Sequence, residues 1–263
     1  MTIDAPVLFT REGAVASLRF NRPLVLNAIS QEMADALRDA CQAIAADPSV
    51  RAVLLSGEGK GFMAGGDISA FHAAGERAPE IVGGIIAAVH ESVGILTSLR
   101  APVIAAVHGA VAGAGLSMML AADLILAAEE SRFLLAYPRI GANPDGGATW
   151  ALPRVLGLRR ALSFALLGEE MDARTALELG LVSKVVPPVL LMEQARELAR
   201  RLAVGPTLAL GRTKALLRAA FGRDLEAQLR AEGEAFVASA ATADFREGVT
   251  AFLEKRLPRF SGG

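Results

Sequence analysis

The sequence predicts an α/β fold of repeated β-β-α turns that passes into an all-helical C-terminal region. Three observations predict it: a hairpin pattern near the start, short apolar runs alternating with helix-period segments up to residue 157, and helical periodicity from there onward. At 263 residues and 52% hydrophobic, the chain is long enough for one large domain with a full core.

Residues 7–10 and 14–20 read as two strands joined at Glu12-Gly13, a dipeptide suited to a tight hairpin. NRPLVLNA, 21–28, forms a turn. Ser30 then stands as an N-cap before Met33, Leu37, Ala40, Cys41 and Ile44, which share one helical face, so residues 31–46 form an amphipathic helix that Asp47-Pro48 ends. AVLLS, 52–56, is a short buried strand, and GEGKG is a loop leading into FMAGGD.

Residues 81–99 place Val82, Ile86, Val89, Val93 and Leu96 on one stripe of a long core-facing helix. A strand follows at 103–107, and a helix begins at Leu116 after a glycine-rich turn. Residues 124–127 and 133–135 supply further strands. Asp172 caps a helix ended by Gly180, and 188–203, 206–220, 224–238 and 243–255 are helical. There is no internal repeat or linker, so the chain divides simply into a core, 1–188, and a helical region, 189–263, of a kind that often forms an oligomer interface.

Several function classes fall away on composition. A net charge of −1, with no Lys/Arg run beyond a pair, lacks the electrostatic footprint of a nucleic-acid binder. The lone Cys41 permits no intrachain disulfide and points to a reducing compartment and no metal cluster. The N-terminal stretch carries Asp4 and no apolar run with a cleavage site, so no secretory signal is expected and the cytoplasm is the default location. Residues 101–122 lack charge and meet the length of a membrane span, but Pro102, the β-branched run behind it and Gly109, Gly113 and Gly115 read instead as a buried parallel strand and its turn. No membrane partner is expected.

The chemistry concentrates in two turns, GAVAGAG at 109–115 and NPDGG at 143–147. A strand delivering backbone N–H groups to a small-residue turn, followed by a turn with one carboxylate, suits carbonyl activation and proton transfer. Asp145 is the leading candidate, although Pro-Asp-Gly is also a good turn in its own right. His108, between the buried strand and the first turn, is assigned a structural role.

Six ordered motifs span nearly the whole chain: NRP…NA at 21–28, GFMAGGDI at 61–68, PVIAAVHGAVAGAGLSMMLAADLILAA at 102–128, LPRVLG at 152–157, DARTALELGLV at 172–182 and REGVTAFLEKR at 246–256. They resemble the crotonase superfamily, the enoyl-CoA hydratase/isomerase family. The resemblance implies a crotonase-like spiral of β-β-α turns, a C-terminal trimerisation region giving a homotrimer or dimer of trimers, and an acyl-CoA thioester substrate. CoA then belongs to the substrate, and no separate cofactor is implied. By position the thioester oxygen falls between the N–H groups of Gly66 and Ala114, rigid donors that grip an enolate oxygen more strongly than a carbonyl. Adenine recognition falls to backbone groups of Ala64, Asp67 and Ile68, with Asp67 also placed to cap the next segment. Arg22 and Lys255, the latter from this or a neighbouring subunit, are the basic residues for the CoA phosphates.

Hydratases of the family use two glutamates, and those positions here hold Ser117 and Tyr137, so two-glutamate hydration is not supported. Both residues remain candidate substrate contacts. The segment 143–154, NPDGGATWALPR, resembles the family's single-aspartate isomerases, the type of the phenylacetate-pathway epoxide isomerase. One carboxylate suffices to take a proton from C2 of a 3-enoyl thioester and return it at C4. His90 reads either as a partly buried structural residue or as a group facing the acyl pocket; the second reading is similar to the aryl-CoA dehalogenases of the family. Tyr137 and Trp150 fall where the acyl pocket is expected, with plain packing as the alternative. Met63, Met118 and Met119 serve either an adaptable acyl site or the core. The expected function is acyl-CoA isomerisation through an enolate; 2-enoyl-CoA hydration, aryl-CoA hydrolysis and non-catalytic thioester binding are the alternatives.

Overall fold

The computed structural model describes residues 5–263, so Asp4 lies outside the described residues. β1 (Val7–Glu12) and β2 (Val15–Phe20) pair antiparallel, with Glu12 opposite Val15, around a tight turn in which Gly13 takes a φ of +59°. α1 (Gln31–Ala46) starts where Ser30 Oγ accepts from Met33 N–H at 3.3 Å, and its buried face is Met33, Ala34, Leu37, Ala40, Cys41 and Ile44. Burial pushes the Cys41 thiol up to about 12.

The later strands are β3 (Ala52–Gly57), β4 (Gly61–Met63), β5 (Val103–Val107), β6 (Ala110–Ala112), β7 (Leu124–Ala128), β8 (Arg132–Leu134), β9 (Met171–Asp172) and β10 (Lys184–Val186). They sort into two sheets, ordered β1-β2-β3-β5-β7-β10 and β4-β6-β8-β9. The large sheet is parallel from β2 to β10, which is why β5 is buried along its whole length and reads as a continuous apolar run. In the small sheet β4, β6 and β8 are parallel neighbours, so the turns at their C-terminal ends emerge side by side.

Between the strands lie α2 (Ile68–Ala74), α3 (Ala78–Ser98), α4 (Ala114–Leu120), α5 (Ala148–Leu156), α6 (Leu158–Leu167) and α7 (Ala173–Glu178). After β10 come α8 (Leu191–Ala203), α9 (Thr207–Ala219), α10 (Leu225–Ala240) and α11 (Ala243–Leu253). The core-facing residues of α3 are Ile85, Ala88, Val89, Ser92 and Leu96. The expected stripe thus holds at Val89 and Leu96 but not at Val82 and Ile86, which are half-buried and turn to a cavity instead. Among the described residues one helical stretch, Ile68–Ser98, is long and apolar enough to cross a bilayer by length and composition; its α3 portion packs along α1.

α8 lays Leu191, Ala195, Ala199 and Ala203 on the face of the large sheet built from Ala52, Leu54, Ile104 and Leu126. α9 is tied to the sheet through Asp123, whose carboxylate oxygens lie 2.8 Å from Lys214 Nζ and 2.8 Å from Arg218 Nη2. α9, α10, α11 and the turns between them leave Leu217, Phe221, Leu225, Phe236, Val237 and Phe252 exposed.

Candidate active site

A cavity of about 450 Å³ opens where β4, β6 and β8 end. β4 runs into Ala64-Gly65-Gly66, β6 into Gly113-Ala114 at the start of α4, and β8 leads on to Tyr137; all of these residues line the cavity. The first two turns touch: a methyl group placed on Gly65, which has a φ of +109°, would lie 3.6 Å from Ala114 N and 3.6 Å from Gly113 Cα. Glycine is needed at 65 for its backbone angle. Among the described residues the backbone network around the two turns finds no acceptor for the N–H of Gly66 or of Ala114. Gly66 is held through its neighbours instead, by Ile29 N–H to Gly65 O at 2.7 Å and Asp67 N–H to Ile29 O at 3.1 Å.

The carboxylate is Asp145, 20% exposed and part of the lining. The Tyr137 hydroxyl donates to its Oδ1. His90 Nε2 lies 4.0 Å from Oδ2, beyond hydrogen-bond reach, and accepts from Gly146 N–H at 3.1 Å. An imidazole accepting at Nε2 carries its proton on Nδ1. Ser117 Oγ donates to the Asp145 backbone carbonyl at 2.8 Å. The turn is thus gripped from α3 and from α4, leaving Oδ2 without a hydrogen-bond partner among the described residues. Burial, and next the bond to Asp145, push the Tyr137 phenol well above its ordinary value, so Tyr137 remains a donor at neutral pH. The rest of the wall is apolar: Ile68, Phe71, Val82, Ile85, Ile86 and Val89. Two unspent N–H groups can hold a carbonyl oxygen, and one carboxylate can work on the adjacent carbon.

A family profile described as "Enoyl-CoA hydratase/isomerase" matches residues 10–263. The chain belongs to that family. It is similar to the 1,2-epoxyphenylacetyl-CoA isomerase of Escherichia coli K12, 38% identical over 252 residues, covering 95% of this chain and 96% of the relative. It is also similar to the 2,3-dehydroadipyl-CoA hydratase of the same organism, 34% identical over 97% of this chain and 98% of that one. Among solved structures, an enoyl-CoA hydratase from Polaromonas sp. JS666 superposes with a TM-score of 0.92 at 35% identity, covering 97% of this chain and 99% of that chain. The fold is accordingly that of the family's hydratases, with the parallel-sheet core and C-terminal helices.

Several expected site residues of this hydratase/isomerase take other positions. Ser117 is 1% exposed and does not line the cavity; it faces the backbone of the Asp145 turn and holds it, because Gly146 packs so close that a methyl there would lie 2.8 Å from Ser117 Cβ. Trp150 is 46% exposed and stacks under the Arg154 guanidinium at 4.0 Å, outside the cavity. His90 does not line the cavity: half-exposed, it braces Gly146 beside the carboxylate, the structural one of its two readings. Met63, Met118 and Met119 are fully buried core. His108 bonds Gly59 O at 2.9 Å, the structural role expected of it.

The residues expected around CoA divide. Ala64 and Ile68 line the cavity, but Ala64 N–H is spent on Leu26 O and Asp67 N–H on Ile29 O, leaving the Ala64 carbonyl and Ile68 N–H. Asp67 caps α2 by accepting from Ala70 N–H and pairs with Arg22 at 3.0 Å. Arg22 also donates to Ala28 O, so it buttresses the turn rather than standing free for phosphate. Lys255, beyond α11, is exposed and does not line the cavity within this chain. Two polar lining residues were missed from sequence, Arg139 and Asn143. They lie within the 3-10 turn Tyr137–Ile140 and the NPD turn, where no periodicity marks a side chain as inward.

Proposed function

We propose that this chain isomerises acyl-CoA thioesters by moving a proton along the acyl chain through an enolate, as in a 3-enoyl to 2-enoyl shift. The observation that carries the reading is that Asp145 is the one carboxylate among the lining residues, with Oδ1 engaged by Tyr137 and Oδ2 open. The thioester oxygen sits on the N–H groups of Gly66 and Ala114. Asp145 Oδ2 takes a proton from C2, the electron pair moves into the carbonyl as a dienolate, and the same proton returns at C4, leaving the double bond at C2–C3. Each oxyanion donor contributes about 3 kcal/mol to the transition state. Similarity to the epoxyphenylacetyl-CoA isomerase supports this reading. The similarity to 2,3-dehydroadipyl-CoA hydratase favours 2-enoyl-CoA hydration as the second one.

The proposal extends to the setting. CoA is part of the substrate, bound through the Ala64 carbonyl and Ile68 N–H, with no separate cofactor, nucleic acid or membrane, and the enzyme works in the cytoplasm. The exposed apolar side chains of α9, α10 and α11 supply a face for a homotrimer or a dimer of trimers. The decisive experiment incubates the protein and Asp145→Asn with a 3-enoyl-CoA in deuterated water, following 2-enoyl product and deuterium at C2 and C4. Conversion by the protein and not by the variant is expected. Full conversion by Asp145→Asn, or formation of 3-hydroxyacyl-CoA alone from a 2-enoyl-CoA, would overturn the isomerase assignment.

A further inference from the structure

We propose that Arg139 recognises an anionic group on the acyl portion of the substrate, so that acyl thioesters bearing a carboxylate remote from the thioester are the preferred class. The proposal rests on the reading of this cavity as the acyl site.

Arg139 and Asp145 are the charged residues among those lining the cavity. Asp145 faces Tyr137 and His90, and among the described residues no carboxylate lies within ion-pair distance of the Arg139 guanidinium, nor does any side-chain hydrogen bond engage it. Some arginines of this chain are paired, as Arg22 is with Asp67 at 3.0 Å, and among the described residues others such as Arg159 and Arg160 are unpaired on the surface; Arg139 is the unpaired one that lines the cavity. A guanidinium offers a fork of donors matched to a carboxylate, and Arg139, itself exposed, holds that fork at the rim of an otherwise largely apolar wall. Asn143, on the same rim, uses one amide hydrogen on Pro144 O and keeps the other.

The position selects which part of the substrate carries the anion. Arg139 lies on the 3-10 turn that begins at Tyr137, whose hydroxyl meets Asp145, and not on the Ala64 to Ile68 turn assigned to adenine. An anion that meets Arg139 therefore belongs to the acyl chain beyond the reacting carbons. Arg22, the other arginine near these turns, is already filled by Asp67 and Ala28 O.

The test is calorimetric binding of saturated ω-carboxyacyl-CoA thioesters and their unsubstituted counterparts of equal length, each also as the N-acetylcysteamine thioester, to the protein, Arg139→Gln and Arg139→Lys. Saturated thioesters bind without turning over, so the result is independent of whether the isomerase chemistry is right. Tighter binding of a carboxylated thioester by the protein is expected, weakened about tenfold in Arg139→Gln on both carriers and partly restored by lysine, with the unsubstituted series unchanged. Equal weakening of both series, or no change in either, would overturn the proposal. Weakening confined to the CoA carriers would overturn it too, by placing the guanidinium on the CoA phosphates.

Discussion

Tyr137 donates its hydroxyl to Oδ1 of Asp145, and this bond decides which oxygen of the carboxylate faces the cavity unengaged. A donor on one oxygen of a carboxylate fixes its rotation and localises the available lone pairs on the other. Tyr137→Phe keeps the ring and removes only the donor. Its kcat should fall roughly ten- to hundredfold with KM little changed, since a hydrogen bond to a charged group contributes about 1.5–3 kcal/mol. Steady-state kinetics on a 3-enoyl-CoA decide it, and an unchanged kcat would remove Tyr137 from the positioning of the base.

Gly115 holds the two donor turns at their separation. A methyl group at this position would lie 2.2 Å from Met63 O, backbone that cannot rotate away, so Gly115→Ala must push α4 from β4 and with it Ala114 from Gly66. Losing the alignment of one oxyanion donor costs about 10²-fold in kcat. The variant should therefore bind a saturated acyl-CoA while turning over slowly; kinetics beside calorimetry separate the two effects.

Asp123 joins α9 to the large sheet, accepting from Val103 N–H at 2.8 Å while pairing with Lys214 and Arg218. Burial is the main influence lowering the Lys214 amine, and the Asp123 charge opposes it. Asp123→Ala leaves a buried ammonium without its counter-ion, and should destabilise the fold by about 3 kcal/mol. Denaturant melts give the number. Asp123→Asn, which keeps the acceptor for Val103, should lose less than the alanine variant.

Acid should loosen the C-terminal tail. Hydrogen bonds from Arg256, and next from Arg259 N–H, pull the Glu247 carboxyl from its ordinary 4.5 down to about 2. Because the folded value lies below the ordinary one, this contribution is fully present above pH 4.5 and is lost as pH falls toward 2. Glu247→Gln should flatten that part of the stability profile and leave the neutral region's slope unaltered. Melting temperatures recorded across that acid range would show it, and parallel profiles would refute it.

Many structural decisions made within a few neighbouring residues were legible beforehand. Ser30 caps α1 and Asp172 caps α7 through bonds to residues a single turn away, and β5 is apolar because both its faces are covered. Asp145 was marked by its glycine-rich turn, and the neighbouring motifs marked Gly66 and Ala114. Arg139 was not marked, since an arginine after a short strand carries no pattern that distinguishes a cavity rim from open surface.

By itself the sequence determined five strands of the large sheet, most helices and their caps, the family and the single acidic turn, because periodicity, capping and turn chemistry act over short separations; β9 and β10 fell in the stretch read as wholly helical, being two and three residues long and set by their partners β8 and β7. Only the tertiary structure decided the rest. β4 and β6 are three residues each, too short to show an alternation, and with β8, the strand read at 133–135, they become a sheet only by pairing across the chain. That pairing brings the two donor turns together and carries Tyr137 to Asp145. Arg22 finds Asp67 at a separation of 45 residues and Gly146 finds His90 at 56, so whether each polar group was spent or left free was settled by distant partners. Local pattern says which backbone a residue prefers; long-range packing says which side chains and N–H groups remain available to a substrate.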